Sequence, residues 1–153
     1  MMMNRIHRIR NISATTLSIA AEGSGRHFTT VSVDQERAIS NCTALVKQHD
    51  FDSYLCGVLL PRKYRGPFFA VRAYHVELAL IKDQCRKNVL SGRMRFQFWR
   101  DAVEHIYSPK DVSAMQLAAQ PPVAKALECF VRDFDMPQRY FERALDARYV
   151  HAK

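Results

Sequence analysis

A chain of 153 residues, of which 48% are hydrophobic and 25% charged, has the composition of a folded globular domain, which excludes disorder of the whole chain. Its longest mostly apolar stretches, such as Leu55 to Leu60 and Val76 to Ile81, fall far short of the about eighteen residues that suggest a membrane-spanning helix. We therefore expect no transmembrane segment, and any membrane association to be peripheral.

The formal charge of +8 is unevenly distributed. Residues 1–30 hold four Arg and one Glu, net +3, which leaves nineteen basic and fourteen acidic residues, net +5, for the rest of the chain. In that remainder the signs are interspersed, and the one tight basic group comprises Arg62, Lys63 and Arg65. Interspersed charges are typical of solvated helix faces rather than of a nucleic-acid surface.

Residues 1–30 differ in composition from the remainder of the chain. Arginines alternate with isoleucines at the start, Ser and Thr are frequent, and the first acidic residue is Glu22. This is the composition of a mitochondrial presequence. Written as a helix, the segment is basic and amphipathic, so it can lie on an anionic membrane and respond to the potential across it. A basic tail without a targeting role is the alternative.

Helical patterns begin after the presequence. Apolar residues at spacings of three and four predict a first helix over 34–48. A short second helix comes next, which Asp52 or Ser53 can cap and Pro61 ends. The third helix is predicted over about 67–86, because a proline is tolerated in the first turn of a helix.

The second half of the chain continues in the same way. A fourth helix is predicted over about 90–107, with a core-facing row formed by Met94, Phe98, Ala102 and Ile106. The segment 108–120 is polar and loose, the pair Pro121–Pro122 opens a helix through about 134, and a last helix after Pro137 reaches Arg148. No segment has the period-two alternation of a half-buried strand, so the predicted fold class is all-α.

The cysteines are widely separated, with no CxxC pair and no histidine at metal-ligand spacing. Isolated cysteines in apolar helical surroundings are usually small core residues. We therefore expect core positions, and neither a zinc site nor a redox pair, at Cys42, Cys56, Cys85 and Cys129.

Several blocks resemble the squalene and phytoene synthase superfamily, in the same order along the chain. They are the opening motif Ser53 to Arg62, the helix Arg93 to Ala102, the segment Pro122 to Phe130, and the segment Phe141 to Asp146. The resemblance covers about residues 38–148. It implies an isoprenoid-synthase-like helical bundle over 32–148, followed by a divergent tail over 149–153.

The length of the chain adds a further expectation. The second aspartate motif of the superfamily belongs to a helix later than those found here, so we expect a bundle truncated after its first five or so helices. Such a bundle would expose apolar faces that further helices should cover. We therefore expect a fragment or splice product, or a protein that needs a partner to complete its core.

In active members of the superfamily, the helix that corresponds to Phe68–Cys85 ends in a DxxxD motif. Residues four apart lie one above the other on a helix, so two such carboxylates can bind magnesium ions that neutralise an isoprenoid diphosphate. Here the second position is Asp83, but the first is Ala79. A single carboxylate holds magnesium weakly, which predicts a pseudoenzyme.

Other acidic residues do not replace the missing one. Glu77 is six residues before Asp83 and therefore about 240° away around the helix. Glu142 and Asp146 have the right spacing, but in the last helix, where they interleave with the arginines Arg139 and Arg143 and predict surface ion pairs. We assign no catalytic, cofactor-binding or metal-binding residue and expect no cofactor.

Within the superfamily, the chain resembles the complex I (NADH:ubiquinone oxidoreductase) assembly factors. The residues that carry this resemblance are Tyr54–Leu55 with Leu59 to Arg62, Val76 to Ala79 with Asp83, and Met94 to Tyr107. It implies a non-catalytic mitochondrial protein, peripheral on the matrix side of the inner membrane, whose partners are complex I subunits or other assembly factors. A magnesium-dependent isoprenyl diphosphate transferase is the alternative function.

A third hypothesis is nucleic-acid binding through interleaved basic and aromatic residues, which are Arg62, Lys63, Arg65, Arg93, Arg95 and Arg100 with Phe96, Phe98 and Trp99. The helical pattern favours a different interpretation, in which the arginines are solvated and Trp99 is a packing anchor. Arg62 or Arg100 retains an anion-binding role only if the ancestral diphosphate site persists. We expect no nucleic-acid partner.

Overall fold

The computed structural model describes residues 33–86, 88–108 and 120–150, and within these ranges every regular element is a helix. In chain order the helices are α1 (Val33–His49), α2 (Phe51–Leu59), α3 (Arg62–Gln84), α4 (Val89–Tyr107), α5 (Pro122–Asp133) and α6 (Gln138–Val150). The predicted presequence over 1–30 and most of the predicted loose segment lie outside the described residues. Both stay predictions.

The helix order agrees with the sequence prediction, but the junction between α2 and α3 differs. Asp50, rather than Asp52 or Ser53, caps α2, because its Oδ1 accepts the backbone N–H of Ser53 at 3.2 Å. Pro61 ends α2 as predicted, yet α3 already begins at the next residue, so Pro67 lies inside the helix rather than in its first turn. The fixed φ of the proline is helical, but inside a helix a proline removes one backbone hydrogen bond and its ring crowds the carbonyl four residues before it, so this position has an energetic cost.

Helix α3 is the centre of the fold, and it contacts each of the other described helices. With α1 and α5 it forms the most extensive packing, and α4 and α6 pair with each other beside it. Buried residues consequently occur on several sides of α3, among them Phe69, Ala70, Ala73, Leu78 and Ile81. The two alanines allow neighbouring helices to approach closely, whereas a single apolar stripe along α3 would serve only one neighbour.

Tyr74 joins three helices at the middle of the core. Its side chain is fully buried, and its hydroxyl donates to the backbone carbonyl of Phe141 in α6 at 2.9 Å. Its ring meets the Trp99 and Phe141 rings edge to face, with centroids 5.3 and 5.4 Å away. Because a buried hydroxyl must have a partner, this bond fixes α6 against α3, while the edge-to-face pair fixes α4.

The buried face of α4 is not the predicted one. Met94 is exposed and Phe98 is 46% exposed, whereas Phe96, Trp99, Val103 and Ile106 are buried. At 100° per residue, the observed face is rotated by about 100° from the predicted row, with which it shares Ile106. The prediction was wrong because α4 carries two apolar rows, and the positions of α3 and α6 decide which of them is covered. Trp99 is a packing anchor, as predicted.

None of the helices in the described part of the chain has both the length and the apolar character needed to cross a membrane.

A half-buried ion pair links the start of α2 to α3. The Arg72 guanidinium donates to Oδ2 of Asp50, with Nε at 3.1 Å, and this hydrogen bond is the main reason why the pKa of Asp50 lies below its usual value. A lowered folded-state pKa stabilises the fold above the unfolded-state pKa, and this contribution is lost as the pH falls through the folded-state value.

We predict that Asp50→Asn lowers stability near neutral pH, because the amide keeps the cap but loses the charge. The difference from the unmutated protein should shrink as the pH falls below about 4, the pKa of an aspartate in the unfolded chain, as measured by urea denaturation. Asp50→Ala should cost about 1 kcal/mol more than Asp50→Asn, because it also removes the cap. A difference that stays constant with pH would contradict the ion-pair contribution.

Candidate functional site

The two positions predicted to correspond to the acidic motif lie in the last two turns of α3. Ala79 and Asp83 are separated by one turn, and the Asp83 side chain is 61% exposed. Its Oδ1 accepts from Nη2 of Arg86, just beyond the helix end, at 3.1 Å. A carboxylate near a helix C-terminus is disfavoured by the helix dipole, and Arg86 offsets that charge locally. The methyl group of Ala79 supplies no ligand beside it.

Glu77 has different surroundings from Asp83. It is half-buried, and burial raises its pKa, while the positive charges of Arg95 and His49 oppose that rise. Its negative charge also contributes to the raised pKa of Cys42 in α1. These neighbours lie on α1 and α4, so Glu77 and Asp83 have different charge partners, as the angle between them along the helix predicts.

The acidic residues of α6 do not pair as predicted. Asp146 accepts from Nη2 of Arg100 in α4 at 3.0 Å, and Glu142 accepts from Nε2 of Gln138 at 2.8 Å. The predicted pairing with arginines of the same helix is therefore wrong for Asp146. Since α4 and α6 pack side by side, an arginine from the neighbouring helix reaches this carboxylate. The guanidinium of Arg100 is thus engaged by a protein carboxylate.

Within the described residues, no group of three or more His, Cys, Asp or Glu side chains is placed to hold a metal ion. Burial, with a smaller effect of Glu77, raises the pKa of the Cys42 thiol to about 12, so it stays protonated and packs as an apolar core residue. Cys85 and Cys129 are partly buried, but Cys56 is exposed, which corrects the prediction of a core position for it.

Two cavities border α4 and α6. One of about 460 Å³ is lined by Arg93, Met94, Phe96, Gln97, Arg100 and Tyr149. The other, of about 490 Å³, lies beside Arg100, Val103, Glu142 and Leu145. Neither of these two cavities is lined by a residue of α3. These two cavities are therefore separate from the pair Ala79 and Asp83.

The basic and aromatic residues of α4 do not form a stacking surface. Phe96 is buried, and Trp99 is 4% exposed, so two of the three aromatic rings are unavailable to nucleic-acid bases. Arg95 donates to the side chain of Gln84, and Arg100 pairs with Asp146. Both observations agree with the packing interpretation of this helix.

The comparison with protein families shows to which family the chain belongs. Residues 46–152 match the family model described as squalene/phytoene synthase. The chain belongs to the squalene/phytoene synthase family. The all-helical structure of the described ranges confirms the predicted fold class and agrees with the isoprenoid-synthase-like bundle of this family.

Curated relatives in this family are named "NADH dehydrogenase (ubiquinone) complex I, assembly factor 6". The protein of this name from Bos taurus is 37% identical over 107 residues, which cover 70% of this chain and 30% of the relative. The one from Mus musculus is 31% identical over 148 residues, or 94% of this chain and 38% of the relative. A homolog from Drosophila melanogaster is 31% identical over 108 residues, which cover 71% of this chain and 32% of the relative.

These similarities confirm the predicted resemblance to complex I assembly factors. The chain spans about a third of the length of the curated relatives it matches. No solved structure matches it.

Proposed function

We propose that this squalene/phytoene synthase family member is a non-catalytic mitochondrial factor that supports the assembly of respiratory complex I (NADH:ubiquinone oxidoreductase). The observation that carries the proposal is the similarity to relatives named for complex I assembly, which extends over 94% of the chain in the mouse protein. The partners we propose are complex I subunits or other assembly factors.

The chemistry of α3 supports a role without catalysis. Two carboxylates one turn apart are needed to hold the magnesium ions that draw a diphosphate away from an isoprenoid. Here the position one turn before Asp83 holds a methyl group, and Asp83 is paired with Arg86. We therefore propose a pseudoenzyme, in which the helical fold serves for binding and the ionising step has been lost.

The location we propose is the matrix side of the inner mitochondrial membrane, with peripheral attachment. Residues 1–30 support import, because they have the basic, Ser- and Thr-rich composition of a presequence. We propose that the family-like helical domain covers 32–148, and that 149–153 form a divergent tail.

The proposal predicts that loss of this protein lowers the amount of assembled complex I, and that Asp83→Ala restores it as fully as the unmutated protein. The reason is that a lone exposed carboxylate paired with Arg86 does no essential chemistry. The measurement is the amount of complex I on native gels, after either version is returned to cells that lack the protein. Normal complex I levels without the protein would refute the assembly role.

Family membership favours one alternative, a magnesium-dependent isoprenyl diphosphate transferase. The discriminating assay is release of pyrophosphate from farnesyl or geranylgeranyl diphosphate by the purified chain with magnesium. We expect no release above the background without protein. Release that disappears in Asp83→Ala would establish the alternative, and a failure of that variant to restore complex I would agree with it.

A further inference from the structure

Helix α2 turns an apolar face toward solvent. We define the α2 apolar face by its four large exposed side chains, which are Phe51, Leu55, Val58 and Leu59. Leu59 is 86% exposed, an unusual value for a leucine in a folded domain. At 100° per residue the four side chains span an arc of about 100°, the width of the stripe that an amphipathic helix ordinarily buries.

The packing of α2 shows why this face points outward. On its opposite side Gly57 is buried so closely against α3 that a Cβ atom there would lie 2.5 Å from Cζ of Phe69. The Tyr54 ring also lies on that side, with its centroid 6.0 Å from the Phe69 ring. Because α2 is held against α3 through these residues, it cannot rotate to cover its apolar face without losing that contact.

A cluster of positive charge adjoins the α2 apolar face. We call Arg62, Lys63 and Arg65 the basic cluster, and all three are exposed. Nε of Arg65 donates to the carbonyl of Leu60 at 2.7 Å, which places this arginine at the C-terminal end of α2. Elsewhere on α2, Nζ of Lys47 lies 5.5 Å from the centre of the Tyr54 ring.

The position of the basic cluster is unfavourable within the protein itself. The three cations lie in the first turn of α3, where the helix dipole is already positive, and that turn contains no acidic residue and no side-chain cap. Of the acidic residues, Asp50 is engaged by Arg72 and Asp52 is exposed in α2, while Asp133 and Asp135 flank Phe134, whose ring centroid lies 6.1 Å from that of Tyr64 in the same turn. Among the described residues none of these carboxylates forms an ion pair with the basic cluster, so an external anion can bind there.

We propose that the α2 apolar face and the basic cluster together dock onto an anionic lipid surface. Interfacial helices bind membranes in this way, with apolar side chains among the acyl chains and basic residues at the headgroup phosphates. The proposal rests on the peripheral membrane attachment proposed above, and it names the surface responsible. Positive charge directly beside the apolar arc favours an anionic membrane over an apolar helix of another protein.

The exposed apolar residues of α4 form a natural comparison. Leu90 and Met94 are exposed on one side of that helix, but Gln97 and Asp101, joined by a hydrogen bond of 2.7 Å, lie along the same side. The carboxylate of Asp101 on this side of α4 opposes contact with an anionic surface. The pair Leu90→Asn and Met94→Asn therefore removes a similar amount of exposed apolar surface from a place where we expect no lipid contact.

The test is sedimentation of the full chain with vesicles of phosphatidylcholine that contain about one quarter phosphatidylglycerol, compared with pure phosphatidylcholine. The pair Leu55→Asn and Leu59→Asn should weaken binding to the anionic vesicles at least about tenfold. Arg62→Gln and Lys63→Gln should weaken it by about fivefold for each charge and reduce its dependence on salt. The α4 pair should bind like the unmutated chain.

All variants share the same residues 1–30, so any membrane affinity of that basic segment is common to them. Equal binding by the α2 pair and the α4 pair would overturn the proposal. So would binding of the unmutated chain to neutral vesicles as strong as to anionic ones. If the α2 pair kept vesicle binding but lost a co-purifying protein, the occupant of the face would be a protein and the proposal would be wrong.

The outcome is independent of the proposed function. If complex I assembled normally without the protein, the assembly role would fail while the vesicle result would stand. If the α2 pair bound vesicles normally while the protein remained necessary for complex I, only the lipid-docking surface would be overturned.

Discussion

Replacement of Trp99 by alanine is expected to lower the free energy of unfolding by about 4 kcal/mol. Trp99 is 4% exposed, and its ring packs edge to face on Tyr74, the residue that joins α3, α4 and α6. Removing the indole leaves a cavity at this junction and removes the aromatic pair. A loss of this size is a large fraction of the stability of a domain, so partial unfolding at physiological temperature is expected.

Chemical denaturation followed by circular dichroism measures this loss, because the chain has a single tryptophan and the variant has no tryptophan fluorescence. The matched control is Phe98→Ala, one residue away. Phe98 is 46% exposed, so its removal should cost less than about 1 kcal/mol. The opposite order of the two losses would favour the core-facing row predicted from sequence and would contradict the observed face of α4.

The second large effect is expected at Gly57. An added Cβ would lie 2.5 and 2.6 Å from two ring atoms of Phe69 and 2.9 Å from the Phe68 ring. Phe69 is buried in the core and cannot move aside freely, so Gly57→Ala must push α2 away from α3. We expect a net loss of about 2 kcal/mol, although alanine is intrinsically better than glycine in a helix.

Two further variants isolate the steric cause. At Gly92 in α4 an added Cβ would meet its neighbour, Cβ of Cys85, at 3.4 Å, so Gly92→Ala should leave stability unchanged or raise it by up to about 1 kcal/mol. In the background of Phe69→Leu, Gly57→Ala should cost clearly less, because the ring that it meets is absent. Additive losses in that double variant, measured by urea denaturation, would show that the Phe69 ring is not responsible.

Helix boundaries were the part of the fold most accessible from sequence. Pro61 ends α2 and Pro137 precedes α6. Both helix limits could be predicted because a proline interrupts a helix through its own backbone geometry. The same local reasoning placed the start of α3 too late, since Pro67 reads as a helix start and is also tolerated inside a helix with suitable packing. A proline constrains its own backbone angle, but it does not show whether it lies in the first turn of a helix or further inside.

The spacing of the residues in the candidate site could be read from the sequence, but their contacts with other helices could not. Spacing alone places Ala79 one turn from Asp83 and turns Glu77 away from both, and the charge partners of Glu77 on α1 and α4 agree with that geometry. The partner of Asp146 was not predictable, because Arg100 is 46 residues away along the chain. Contacts between two helices depend on how the helices pack. The apolar periodicity of each helix does not specify that packing.

The sequence by itself determined that the described part of the chain is helical, where most of these helices begin and end, which family the chain resembles, and that Ala79, one turn before Asp83, has no metal-binding group. Tertiary structure decided which apolar residues are buried. Trp99 rather than Phe98 faces the core, and Leu59 faces solvent, although each of the three is a large hydrophobic residue. The reason is that periodicity defines faces of a helix relative to its own axis, whereas burial requires a neighbouring helix to cover one of them.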